Sequence, residues 1–191
     1  MPNWCENHLR LDGLPKEVAS QVIDNVLTAN NENSRGIFPE FLSVLHPVPN
    51  LREVMSEGMI TCSAIAQNQT IEEYINSWEF NWRRDNWMVK WDIFINYDRP
   101  VDAVTDYGDD CIEIEFLSPW SPPTGTYQHL HQEGVKVEAY YCEFGLDYCG
   151  FWADGKDFDY RISDKDYPEN IDEIFHITER TYDWGEDPTP L

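Results

Sequence analysis

Residues 3–12 alternate in character. Cys5, Asn7, Leu9 and Leu11 fall on one side, and Trp4, Glu6, His8 and Arg10 on the other, until Gly13 ends the run. A period of two predicts a strand with one buried face. From Leu14 the period lengthens. Leu14-Pro15-Lys16-Glu17 opens a helix, where Pro15 is tolerated in the first turn. Val18, Val22, Ile23 and Val26 recur at helical spacing until Asn30-Asn31. Residues 89–97 alternate again, with Val89, Trp91, Ile93, Ile95 and Tyr97 on one face, and 100–110 read as a polar turn. Residues 111–117 form a further strand, with Ile112, Ile114 and Phe116 inward and Glu113 and Glu115 outward. Pro122-Pro123-Thr124 starts a helix to about Gln132, closed by Gly134. Residues 135–143 read as a strand, and 151–162 as a hairpin turning near Asp154-Gly155. One short helix is expected within 164–180, and a loose acidic tail over 183–191.

Between the first helix and residue 86 the pattern is less regular. Pro47 and Pro49 break the apolar stretch that ends at Leu45, and residues 51–57 suit a short helix. Thr70 and Glu73 match a capping box ahead of a helical face of Ile71, Tyr74, Ile75 and Trp78. Residues 31–85 therefore read as a mostly helical insertion. Without insertion and hairpin the order is βαββαβ. The expected fold is α+β: a ferredoxin-like antiparallel sheet with its helices on one face. It forms one domain over 1–182, extended by the hairpin.

Charge narrows the partners. The chain has 36 Asp+Glu against 13 Lys+Arg, a net charge of −23. Residues 1–100 hold 14 acids and 8 bases, and residues 101–191 hold 22 acids and 5 bases. Such a surface repels phosphates and anionic lipids and attracts basic proteins. Direct nucleic-acid and membrane partners are excluded on this ground. With 8 Trp, 10 Tyr and 9 Phe the chain has the aromatics for a core despite its charge. Five cysteines without a CxxC pair, no signal-like N-terminus and no long apolar run predict a cytoplasmic protein with reduced thiols.

Four motifs carry a resemblance. The start Pro2-Asn3-Trp4-Cys5-Glu6-Asn7, the segment Asn86-Trp87-Met88-Val89-Lys90-Trp91-Asp92, the segment Ser118-Pro119-Trp120-Ser121-Pro122-Pro123, and Tyr141-x-Glu143-x-Gly145 followed by Gly150 occur in that order. They resemble the opening "PNWCxN" and the "NWGTKWD", "TxWSPP" and "YxExG" motifs of the YubB-like family of phage and plasmid proteins. The stretch from Phe41 to Pro49 is similar to a further "F…PxP" element. The resemblance implies a ferredoxin-like domain and a mobile-element origin. It implies no activity, because the family has none assigned. This chain departs from the motif at Met88 and Val89, where the family has Gly-Thr.

By alternation the sheet face without helices carries Glu6, His8 and Arg10 from the first strand. It takes Lys90, Asp92, Phe94 and Asn96 from the second, Glu113 and Glu115 from the third, and Lys136, Glu138 and Tyr140 from the fourth. Facing carboxylates destabilise a sheet, so an acidic row points to a partner. The plain alternative is a solvated face, or one covered by the insertion or the hairpin. Asp154, Asp157 and Asp159 extend the acidic set into the hairpin. Trp4, Trp87, Trp91 and Trp120 suit core anchors, or alternatively an aromatic pocket. Asn7, Lys90, Ser121, Pro122, Gly145 and Gly150 are expected to be structural. Glu143 reads as a buried acceptor for turn amides, or alternatively as half of an acid/base pair with Asp147. No nucleophile stands beside it, no cysteine or histidine has metal-ligand spacing, and no cofactor motif appears.

The expected function is that of a phage or mobile-element acidic protein engaging a basic or nucleic-acid-binding host protein. It would mimic a nucleic acid and inhibit a host defence or nucleic-acid-binding complex. The alternatives are a ligand-binding protein or enzyme built on the Trp/Glu143 cluster, and a module that dimerises through its sheet.

Overall fold

The computed structural model describes residues 3–31, 40–95, 104–108 and 110–182. Over these residues it is a mixed α+β structure with a six-stranded antiparallel sheet and eight α-helices. The chain runs β1 (Trp4–Asp12), α1 (Lys16–Asn31), α2 (Phe41–Leu45), α3 (Leu51–Val54), α4 (Glu57–Ala66), α5 (Ile71–Asn86), β2 (Val104–Gly108) and β3 (Cys111–Pro119). It continues through α6 (Thr124–Gln132), β4 (Lys136–Glu143), β5 (Tyr148–Ala153), β6 (Lys156–Arg161), α7 (Glu169–Phe175) and α8 (Ile177–Tyr182). The strand order is β2-β3-β1-β4-β5-β6. No helix among the described residues is long and apolar enough to cross a membrane.

One sheet face is closed by helices. Leu9 and Leu11 of β1, Ile112, Ile114 and Phe116 of β3, and Val137 and Ala139 of β4 meet Val22 and Val26 of α1 and Tyr127 and Leu130 of α6. The insertion joins this core through Phe41, Leu42, Leu45 and Trp87. It therefore packs on the helical side and leaves the other face alone. The capping box forms as the sequence predicts: the Thr70 hydroxyl accepts the Glu73 N–H, and the Glu73 carboxylate accepts the Thr70 N–H. The hairpin turn also forms where expected, with Asp154 at φ 51° and Gly155 at φ 74°, the left-handed pair that a two-residue turn requires.

Residues 89–95 differ from expectation. They do not form a continuous strand, and their one bridge pairs Phe94 with Leu117. The edge strand is instead β2, in the stretch read as a polar turn. Two residues break the alternation. Met88 stands at φ 66°, outside extended geometry. Asp92 is buried beside buried Ile93, so successive side chains do not point to opposite faces. The Asp92 carboxylate accepts N–H groups of Leu42 (2.8 Å), Ser43 (3.1 Å) and Ile93 (2.8 Å) and the Ser43 hydroxyl (3.0 Å). The Leu42 and Ser43 amides are free groups at the start of α2, so Asp92 ties the insertion to the sheet edge. The bridge and β2 nevertheless lie along the same side of β3, with Phe94 opposite Leu117 and Val104 opposite Ile114.

The C-terminus also differs. Two helices, not one, follow the hairpin, with His176 between them at φ 51°. They cover part of the second sheet face. Ile171, Phe175 and Ile177 bury Cys142 of β4, Cys149 of β5 and Ile162, with Tyr140 and Phe151 alongside. The tail 183–191 and Asn96 and Tyr97 lie outside the described residues.

Candidate functional site

The second face is organised by the register of β1. Arg10 stands between Glu113 of β3 and Glu138 of β4, His8 between Glu115 and Tyr140, and Glu6 between Leu117 and Cys142. No two of these carboxylates are direct cross-strand neighbours, because a β1 residue separates each β3–β4 pair. The expected facing row is thus an interleaved array. Arg10 pairs with Glu113 at 3.3 Å and Asp12 at 3.4 Å, and Lys136 reaches Asp12 at 3.8 Å. Tyr107 donates to Glu113 at 2.6 Å and Tyr140 to Glu138 at 2.8 Å. Much of the acid on this face is therefore already compensated within the fold.

At the other end of β1, Glu6 holds the C-terminal helices. Both Arg180 nitrogens reach its carboxylate oxygens at 2.8 Å, and the guanidinium lies 3.8 Å from the Phe144 ring centre. Between this clamp and β3 lies a half-open cleft of about 380 Å³. It is lined by Glu6, His8 and Glu115, by Ile95 and Leu117, and by Ile174, Phe175 and Arg180. His8 Nδ1 is buried there without a hydrogen bond, 3.6 Å from Glu115 Oε1. Periodicity placed His8, Glu6 and Glu115 on one face. The cleft itself depends on α7 and α8, whose docking no local pattern signals.

The expected acidic set is not one surface. Asp92 leaves it altogether, buried as a helix-capping acceptor. Glu6, Glu113, Glu115 and Glu138 share the second face. Asp157 and Asp159 point to the opposite face of β6, in cross-strand rows with Trp152 and Ala139 and with Gly150 and Tyr141. Asp154 sits in the hairpin turn.

The motif residues converge on one end of the sheet. Buried Asn7 donates to Cys5 O and Ser118 Oγ, each at 2.8 Å, and Ser118 passes its hydroxyl hydrogen to Ser121 O at 2.7 Å. Ser121 in turn donates to Met88 O, and buried Pro122 follows it into α6. Trp120 stands at φ 64°. Its N–H bonds Asn3 O, its carbonyl accepts the Tyr148 hydroxyl at 2.6 Å, and its ring meets Trp91 edge-on at 5.4 Å with Lys90 Nζ 4.2 Å over it. Trp4 stacks on Phe94 at 5.5 Å. Trp87 is 1% exposed and donates to His46 O at 2.7 Å, which anchors the end of α5 to the chain just after α2. Glu143 is 3% exposed. Its Oε1 accepts the Gly145 N–H at 3.0 Å, and its Oε2 has no hydrogen-bond partner. A carboxylate so enclosed offers no access to a substrate for acid/base exchange.

The fold and surface define a small α+β protein with a closed core on one sheet face and a strongly acidic C-terminal half. No protein-family profile matches the chain, and no curated protein matches it. A similar solved structure is the crystal structure of the protein api92 from Yersinia pseudotuberculosis, of the family DUF1281. It is 10% identical, with 84% of this chain and 98% of that chain covered, at a TM-score of 0.37. At that score the likeness defines neither fold nor function here.

Proposed function

We propose that the chain is an acidic binding protein of a phage or other mobile element that engages a basic or nucleic-acid-binding host protein. Its carboxylates would stand where phosphates stand in a nucleic acid and so block a host defence or nucleic-acid-binding complex. The observation that carries this reading is the disposition of charge after β5. Asp154, Asp157, Asp159, Asp164, Asp166, Glu169, Glu173 and Glu179 are all exposed there, while Arg180, one of the few bases, is taken up by Glu6. A surface of that sign attracts cationic partners and repels phosphates.

Three further readings belong with it. The first four strands lie in the order β2-β3-β1-β4 with crossover helices on one face, which supports a ferredoxin-like frame. Met88, at φ 66°, occupies the motif position where the YubB-like family has glycine, the residue that geometry favours. That agreement supports the family resemblance. Five free cysteines fit a reducing cytoplasm. Affinity capture from host lysate at two ionic strengths tests the function. Retention of basic or nucleic-acid-binding proteins at low salt, lost at high salt, is expected, and a low-salt eluate without them overturns the reading.

The cleft favours a second reading, a small-ligand site. Its volume is within the range of such pockets, and Glu6, His8, Glu115 and Arg180 converge on it. A thermal-shift screen with small polar ligands checks this. A hit abolished by Leu117→Trp, which fills the cleft, supports it, and the absence of hits counts against it.

A further inference from the structure

β6 ends the sheet. It pairs with β5 on one side, and no described strand lies on the other. Its side chains divide between two faces. Asp157 and Asp159 share the face of Tyr141, with Arg161 of the same strand at its far end and His131 of α6 against Trp152 beside it. Phe158 and Tyr160 take the opposite face. There Phe158 stacks on Phe151 at 4.6 Å and 16°, and Tyr160 lies at 6.4 Å and 18° from the same ring.

The acidic side is short of hydrogen. The Tyr141 hydroxyl is 2.6 Å from Asp157 Oδ1 and 2.6 Å from Asp159 Oδ1. A phenol has one hydrogen to donate, so one of these short contacts lacks a proton or cation of its own. Although the residue is exposed overall, desolvation of its carboxyl against Tyr141 raises the Asp157 pKa above its ordinary range, the Tyr141 hydrogen bond works against this, and the charge of Asp159 adds to it. The arrangement depends on Gly150. A Cβ there would strike the Tyr141 hydroxyl and the Phe158 carbonyl oxygen, so only glycine lets the phenol cross β5 to reach β6.

We propose that β6 is the docking edge for an extended basic segment of the partner, added to the sheet as a seventh strand with Lys or Arg at alternate positions over Asp157 and Asp159. The inference rests on the basic-partner reading and gives it a location. Strand addition supplies main-chain hydrogen bonds, and the period of two sends every second side chain to the carboxylates. The intervening side chains lie along Phe158 and Tyr160, where apolar groups and the stems of basic residues pack. A second copy pairing antiparallel about Phe158 would set Asp157 against Asp159, and like charges disfavour that register.

The test uses the full chain and an octapeptide alternating Lys with Val, at low salt. Three reagents isolate the edge: a D157N/D159N variant, an E113Q/E115Q/E138Q variant of the second face, and the same peptide N-methylated at its valines. The wild type is expected to bind the Lys-Val peptide and to gain amide-exchange protection at 156–161. D157N/D159N should bind at least about tenfold more weakly, and the second-face variant within about twofold of wild type. The N-methylated peptide keeps its charge but loses strand pairing, and should bind wild type at least about tenfold more weakly. That arm stands even if D157N/D159N folds poorly. Wild-type binding of polylysine, with D157N/D159N equal to wild type or with protection outside β6, overturns the inference alone. Failure to bind either Lys-Val peptide or polylysine overturns the basic-partner reading with it. Tighter binding of oligothymidylate than of peptide also overturns the inference, and assigns Phe158 and Tyr160 to base stacking.

Discussion

Among the described residues, the helix-covered sheet face buries one cluster of 22 residues that reaches from β1, β3, β4 and β5 through α1 and α6 to the insertion, whereas on the other face a cluster of six joins Cys142, Cys149 and Ile162 to Ile171, Phe175 and Ile177 of α7 and α8. The first face is closed by aliphatic and aromatic packing that runs from Leu9 to Trp152. The second is part core, part cleft and part interleaved charge. Stability resides mainly in the first face, and interaction in the second and in the sheet edge. A large, dry cluster sets the global unfolding free energy, while a small one with exposed rims opens locally at lower cost.

The largest expected effect breaks the first face. Trp87→Ala should lose about 3–5 kcal/mol, because it empties a fully enclosed indole site and orphans His46 O. Urea unfolding should show a lowered midpoint for the whole chain. Ile171→Ala on the second face should cost about 2–3 kcal/mol. Its signature should differ in kind: faster amide exchange in 169–182 and β5–β6, with β1 and β3 protected nearly as in the wild type. Uniform loss of protection in both variants would erase the distinction.

A titration sharpens the same comparison. His46 of the insertion stacks on His129 of α6 at 3.9 Å, and Trp82 meets it edge-on at 5.0 Å. Burial, then the neighbouring His129, lowers the His46 pKa to about 4. A folded pKa below the unfolded value of 6.5 contributes stability above pH 6.5 and loses it as pH falls towards 4. His46→Phe should flatten this part of the stability–pH curve, and an unchanged slope would contradict the assignment. The smallest expected change is a gain. Met88→Gly should add about 1 kcal/mol, since Met88 is exposed and sits at φ 66°. A thermal midpoint lowered by this substitution would show that the Met88 side chain contributes more than its backbone strain.

Much of the frame is legible in the chain because its signals are local. The alternation of β1, the Thr70–Glu73 box, the Pro122-Pro123 helix start and the Asp154-Gly155 turn each need only a few neighbouring residues. Residues 89–95 mislead for a physical reason. Their apolar positions do reach the core, but Asp92 is drawn to the start of α2, a contact fifty residues away in sequence. β2 is hidden because an exposed edge strand needs no apolar alternation, and Val104 is its only half-buried residue. The acidic set was legible as composition and not as a surface: Asp157 and Asp159 follow the register of β5, which sends them to the face of Tyr141. The meaning of Gly150 could be read only once Tyr141 and Asp159 were placed on either side of it.

Recognition of a basic partner is assigned to the exposed acid beyond β5. Backbone chemical-shift mapping of the labelled chain, titrated with the Lys-Val peptide at low and then high salt, tests it most directly. Saturable shifts centred on 154–161 and reversed by salt are expected, with the motif end around Trp91, Trp120 and Glu143 unmoved. No shifts at low salt, or shifts confined to the motif end or the cleft, would contradict it.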